Sequence, residues 1–382
     1  MLDSNIPIID PPALSPGASF DSTSSYCLKR RLGEGGMGEV WLAERVSAGR
    51  HGQRVAVKFL CNARERKSLA AEALRMSRLY HDNIVPFVDS GRDAGGRFFV
   101  AMAYVEGMDL RGLSELVGVT SNAAFERSVS CRVPDRLVGF IVFMVLRALR
   151  YAHTYDFGEG VVGLIHRDVS PGNILIDEKS GFVKLTDFGV AVPQGGQNCG
   201  QEIVGKVPYM SPELLTGGMV DRRSDIYSLG IVAYELLTGF NPNVYPTSMT
   251  NVLGAITNVM FALDRRLRPP HEVVEGVDPD LSRIVARMLH RDVEERYQSA
   301  DDVLADLRLY LFDHGLGPTG ASLVSYIDLM RDPLLKPTTS MRQVLPFLRK
   351  KGSDGQLDYK PAWQLTPAAD ESLDRDENPC RE

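Results

Sequence analysis

Eight residues crowded with reactive side chains, His166-Arg167-Asp168-Val169-Ser170-Pro171-Gly172-Asn173, follow a run with helical spacing: Leu137, Phe140, Ile141, Met144, Val145, Ala148 and Leu149. Pro134 stands ahead of that run, where a first-turn proline is well tolerated. A long apolar helix therefore delivers a polar loop that holds an Asp five residues before an Asn. In isolation such a pair is ordinary turn chemistry. Here Asp187-Phe188-Gly189 begins fourteen residues after Asn173, and Val55-Ala56-Val57-Lys58 ends 110 residues before Asp168. Gly33-Glu34-Gly35-Gly36-Met37-Gly38-Glu39-Val40 precedes that lysine. A glycine-rich run by itself is only a hairpin turn. An ordered series of such segments demands a fold that returns distant loops to one place.

In this order and at these spacings the segments resemble the signature set of protein kinases. Over residues 26 to 314 the chain is similar to the eukaryote-like (Hanks-type) serine/threonine protein kinases of bacteria. The resemblance implies an α+β, bilobal protein kinase fold. A small antiparallel β-sheet N-lobe with one helix would occupy 26–103, and a larger, mainly helical C-lobe 106–314. It also implies ATP, magnesium with manganese as an alternative, and the Ser or Thr hydroxyls of protein substrates.

By the same resemblance, Asp168 orients the substrate hydroxyl and accepts its proton, while Asn173 and Asp187 hold the metal. Lys58 meets the α- and β-phosphates and is held there by Glu72, nine residues before His81-Asp82-Asn83-Ile84-Val85. The backbone of Gly33, Glu34, Gly35, Gly36, Met37 and Gly38 approaches the phosphates where a Cβ would interfere. Val40 and Ala56 sandwich the adenine, Leu175 lies beneath it, and Met102 guards the back pocket. Ala103, Tyr104 and Val105 form the hinge; Ala103 replaces the acidic residue often found there, at little expected cost because adenine is read by backbone groups. Glu213 in Ser211-Pro212-Glu213 pairs with Arg296, and the carboxylate of Asp225 caps the backbone of the catalytic loop. Because all five of Lys58, Glu72, Asp168, Asn173 and Asp187 are present, catalysis is favoured over a pseudokinase scaffold.

Outside these motifs the chain is less specific. Residues 1–25 hold four prolines and six serines without apolar periodicity and read as a disordered leader. Short β-type runs follow from Tyr26, and 64–80 has helical spacing. Residues 112–133 read as an inserted loop or partly ordered helix, and 156–162 as a second insertion. Segments 249–263, 281–289 and 300–313 read as helices, and Gly239 as the terminator of the helix that Asp225 begins. After Gly317-Pro318, 315–351 reads as a short helical extension whose apolar and basic residues suit a docking partner, and 352–382 as an acidic disordered tail. The net charge of −6 and the absence of a basic run argue against nucleic-acid binding. Five scattered cysteines imply no disulfide framework, and with no transmembrane segment or signal peptide recognised, the expected location is cytoplasmic.

Three departures from the family pattern stand out. No Ser, Thr or Tyr lies between Gly189 and Pro208, so Arg167 would be satisfied by a fixed carboxylate, Glu202 being the candidate, rather than by a phosphate. Gly172 stands where many kinases that favour basic substrates carry a Glu. Ser170 and Lys206 have exchanged the side-chain types usual at their positions, so that Lys206 would assist the phosphoryl group and Ser170 help orient it.

Overall fold

The computed structural model describes residues 14–332 except 22–23, 36–37, 48–49, 61–72, 119–131, 159, 189–191, 194–205, 245–255, 257–258, 260–266 and 314. Its first half is a six-stranded antiparallel sheet built from β1 (Ser19–Asp21), β2 (Ser25–Gly35), β3 (Gly38–Ser47), β4 (Arg50–Leu60), β5 (Phe87–Arg92) and β6 (Phe98–Ala103), in the order β1-β2-β3-β4-β6-β5. Alternation along β4 explains its placement: Val55, Val57 and Phe59 are buried with Tyr26, Leu28, Trp41, Phe99 and Ala101 on one face. The period of two then assigns Ala56 and Lys58 to the other face.

Residues 14–21, expected to belong to a disordered leader, instead add an edge to this sheet. Phe20 stacks on Tyr26 at 5.0 Å between ring centroids and meets Phe59 and Phe99 edge-on. One aromatic side chain buries enough apolar surface to offset ordering a three-residue strand. Residues 1–13 lie outside the described residues, as does most of the helix expected over 64–80, of which 73–76 is helical.

The second half is helical. After β7 (Gly107–Asp109) come α1 (Leu110–Val117) and α2 (Asp135–Thr154). Two small sheets follow in the chain: the β8 (Asp156–Gly158) and β9 (Val161–Val162) hairpin, where an insertion was expected, and β10 (Leu164–Ile165) paired with β13 (Val192–Pro193). Between those last two, β11 (Ile174–Asp177) and β12 (Val183–Leu185) join β7 in the order β12-β11-β7. The lobe is completed by α3 (Arg222–Thr238), α4 (Pro279–Met288), α5 (Ala300–Phe312) and α6 (Gly320–Arg331).

Helix α2 has the length and apolarity to cross a membrane, but Leu137, Ile141, Val145 and Leu149 are fully buried among the other helices. Helix α3 is buried from Ser224 to Thr238 and ends at Gly239 in the left-handed conformation. Gly230 permits its close approach to α4, since a Cβ there would stand 3.0 Å from the Cβ of Met288.

Two boundaries read from sequence shift. The segment 112–133 is a regular helix in its first part, capped by the Asp109 carboxylate, which accepts from Gly112 N at 2.8 Å, and closed by left-handed Gly118; 119–131 lies outside the described residues. Helix α6 lies beyond the expected kinase boundary at 314, yet Leu323, Tyr326, Ile327 and Met330 join the same core as α2 and α3. Its first residue abuts the β11–β12 turn so closely that Gly181 and Gly320 have no room for side chains. The rest of the docking segment and the acidic tail, 333–382, fall outside the described residues, and of 249–263 only positions 256 and 259 are described, both helical.

Candidate active site

Strand pairing assembles the upper wall. Register places Val40 opposite Lys58 and Leu42 opposite Ala56, while Ala56 faces Met102 across β4 and β6. Gly33 pairs with Val40, and a Cβ at Gly33 would meet nothing within 4 Å, which leaves open space over that strand. Glu34 is exposed and ion-paired with Arg31, and Gly35 pairs with Gly38 across the turn. Gly36 and Met37 lie outside the described residues. Met102 and Val100 are buried with Val85, and Val105 and Leu175 pack against them half-buried, forming an apolar slot beside the segment 103–105. The backbone N–H of Ala103 is used by Pro86 O at 2.9 Å.

Lys58 is buried, and its Nζ donates to both carboxylate oxygens of Asp187 at 2.5 and 2.6 Å. Burial alone would raise the Asp187 pKa; the charge and hydrogen bond of Lys58 outweigh it and hold the carboxyl below its ordinary range. Glu72, the expected partner of Lys58, lies outside the described residues.

The loop 166–173 is fixed from below. Asp225 Oδ2 accepts from the backbone N–H of His166 and Oδ1 from that of Arg167, each at 2.8 Å, and His153 Nε2 donates to Oδ2 at 2.7 Å. Although burial would push the Asp225 carboxyl upward, the hydrogen bond and charge of His153, with His166, keep it lowered and ionised. Above, the Asp168 carboxylate Oδ2 accepts from Asn173 Nδ2 and from Lys206 Nζ, both at 2.8 Å. Asn173 Nδ2 also donates to Asp168 O at 2.7 Å, and Thr186 N donates to Asn173 O at 2.9 Å, tying the loop to the residue before Asp187.

Arg167 and Asp187 are the non-glycine residues with positive φ among the described ones, at 65° and 66°. Arg167 directly precedes Asp168, and Asp187 is the carboxylate that Lys58 holds. Strained backbone of this kind persists only where its surroundings over-determine it, and it concentrates at functional sites.

The donor set suits a divalent cation held with phosphates. Asn173 has committed its amide N–H₂ to Asp168, leaving its side-chain oxygen as a ligand, and Asp187 adds a carboxylate. Among the described residues no cluster of three or more His, Cys, Asp or Glu could form a protein cage. Two hard oxygen donors completed by phosphates and water are the usual protein contribution to a magnesium site.

The two exchanged residues behave differently. Lys206 Nζ reaches Asp168, and Ser170 Oγ is buried without a hydrogen-bond partner among the described residues. A lysine spans the distance because its four-carbon stem is long and its ammonium finds an anion. Glu202, proposed as the counter-charge to Arg167, lies outside the described residues.

Structural supports occupy the positions expected of them. Arg296, with no exposed side chain, donates from Nη1 and Nη2 to Glu213 at 2.9 and 3.2 Å. Sequence reasoning missed His153, although its spacing of four from Leu149 puts it on the buried face of α2. It also missed the contact of Tyr209, whose hydroxyl donates to buried Glu235 Oε2 at 2.7 Å, for which no local signal exists.

The protein kinase domain family matches residues 26–307. The chain is 32% identical over 325 residues to the probable serine/threonine-protein kinase PknB of Bifidobacterium longum, 32% over 310 to the tyrosine-protein kinase MasK of Myxococcus xanthus, and 31% over 290 to the serine/threonine-protein kinase PrkC of Bacillus subtilis. These matches cover 80%, 78% and 74% of this chain and 42%, 45% and 40% of the relatives, so the chain spans less than half of their length. The crystal structure of the Mycobacterium tuberculosis PknI kinase domain superposes with a TM-score of 0.52 at 26% identity, over 78% of this chain and 99% of that domain.

Proposed function

Because the chain belongs to the protein kinase family, we propose that it transfers the γ-phosphoryl group of ATP to Ser or Thr hydroxyls of protein substrates, as a cytoplasmic signalling enzyme. One observation carries the reading: Asp168 is held by Asn173 and Lys206 while Asp187 is held by Lys58, so a base, an amide and two cations face one cleft. The apolar slot of Val40, Ala56, Met102, Val105 and Leu175 takes the adenine, with Ala103 and Tyr104 completing the hinge.

Asn173 and Asp187 would hold the divalent metal, magnesium by preference for its oxygen ligands, with manganese as a substitute. When bound, the ion neutralises phosphate charge. The protein's share is positioning. Asp168 accepts the hydroxyl proton, and its fixed hydrogen bonds aim the free carboxylate oxygen at the acceptor. Lys206 stands beside it as a point charge for the negative oxygens of the phosphoryl group in flight. Lys58, freed from Asp187 as phosphates enter, binds them in turn. With no hydroxyl between Gly189 and Pro208 to receive a phosphate, activity does not depend on loop phosphorylation.

Transfer of radiolabelled γ-phosphate by purified protein, followed by phosphoamino-acid analysis, tests this reading. Label on Ser or Thr with the wild type and none with Asp168→Asn is the expected result. Equal label in both refutes the role of Asp168, and label on Tyr alone would align the chain with the activity for which MasK is named.

A further inference from the structure

Four residues beyond Asp168, Gly172 leaves a side-chain space that another residue fills. The Arg111 guanidinium lies over it: a Cβ at Gly172 would stand 2.7 Å from Arg111 Cζ and 2.8 Å from Nε. Arg111 occupies the first turn of α1, and its side chain is 67% exposed, so its charge faces solvent beside the catalytic loop. Its one ion-pair partner among the described residues is Asp109, whose Oδ2 accepts from Nε at 3.1 Å. Asp109 Oδ1 is engaged with Gly112 N as the α1 cap.

Asp109 offsets part of this charge through Nε, and neither Nη atom of Arg111 has a partner among the described residues. Glu235 is buried; burial raises its pKa, and Tyr209 and Asn241 satisfy it. Lys206, 29% exposed, is ion-paired with Asp168 and adds no free anion near Arg111. Four residues span at most about 14 Å of chain, so Arg111 lies within the reach of roughly four extended substrate residues from the acceptor. A segment laid along this surface meets positive charge where a carboxylate at position 172 would have met it with negative charge.

Resting on the kinase reading above, we propose that Arg111 determines peptide specificity, selecting an acidic residue near the phosphoacceptor and rejecting a basic one. Gly172 is part of the device, because any side chain there would displace the guanidinium from the loop.

The test is a set of peptides with one central Ser in neutral surroundings, carrying Asp, Ala or Arg at each of the four positions on either side. With the full chain and magnesium ATP, Asp at one position is expected to raise kcat/KM about fivefold over Ala, and Arg there to lower it, which is the scale of a partly exposed ion pair. The preference shrinks in high salt. Arg111→Gln, which keeps the size and loses the charge, flattens the Asp-to-Ala ratio, and Arg111→Glu inverts it in favour of Arg. Ratios within one variant are read, so a general loss of activity does not mimic the effect. Transfer to all peptides alike, or a preference unchanged in Arg111→Glu, overturns the selection and leaves the kinase reading intact. Transfer to none, as with Asp168→Asn, overturns both.

Discussion

Asp168 makes one carboxylate oxygen serve two donors, the amide of Asn173 and the ammonium of Lys206. An amide orients; a cation both orients and stabilises developing negative charge. Lys206→Ala is therefore expected to lower kcat by about 100-fold or more, the scale of losing one pre-organised donor, with little change in the KM for ATP. Ser170→Ala serves as its counterpart: the hydroxyl is buried without a hydrogen bond among the described residues, so its removal should leave kcat within about twofold. Steady-state kinetics on both variants decides between them. Full activity in Lys206→Ala, or a Ser170→Ala defect as large, would show that the two residues do not divide the work in this way.

Helix α6 is the element whose status changes most between chain and fold. Its apolar residues Leu323, Tyr326, Ile327 and Met330 recur at three and four, the spacing of one helical face, and all four are buried in the C-lobe core. Thr319 caps it, and Arg331 Nη2 pairs with Glu178 Oε2 at 2.7 Å, so that both ends are fastened to the β11–β12 side of the lobe. An appended, loosely docked helix would tolerate a charge on its inner face; an integral one would not. Ile327→Asp is expected to cost about 3 to 5 kcal/mol, the sum of lost apolar burial and an unpaired buried carboxylate. Ser325→Asp, on the exposed face, should stay within about 0.5 kcal/mol. Denaturant unfolding of the two variants separates the cases.

Across the whole molecule, buried ion pairs join segments far apart in sequence: Lys58 with Asp187 between the lobes, and Glu213 with Arg296 within the helical lobe. A surface chain of charge accompanies the hinge, where Glu106 accepts from Arg54 at 3.0 Å and also pairs with Lys179; these contacts lower its pKa to about 2. For Glu213, burial would raise the pKa from its ordinary 4.5, but the hydrogen bond and charge of Arg296 bring it below. A carboxyl whose pKa is depressed on folding stabilises the protein fully above its unfolded value, and that contribution is lost as pH falls through the folded value. Wild-type stability should thus decline as pH drops below about 4.5. Glu213→Ala leaves Arg296 buried and unpaired and should cost about 3 to 5 kcal/mol at neutral pH, with a shallower decline on acidification. Urea unfolding across that pH range measures both slopes; parallel slopes would remove Glu213 from the acid-sensitive set.

The chain by itself determined the motif order, the register of reactive residues within each loop, and the helices whose apolar periodicity or caps are local, such as α2 and the start of α5 at Ser299. These are legible because a period of two or 3.6, a capping hydroxyl or a glycine terminator acts over a few residues. Only the tertiary structure decided which distant groups meet. Lys206 was singled out by type, but its contact with Asp168 requires two loops to converge. His153 beneath Asp225, Phe20 against Tyr26, α6 in the core and Arg111 over Gly172 are products of long-range packing. Residue type states what a side chain can do; burial and the approach of remote backbone decide what it is next to.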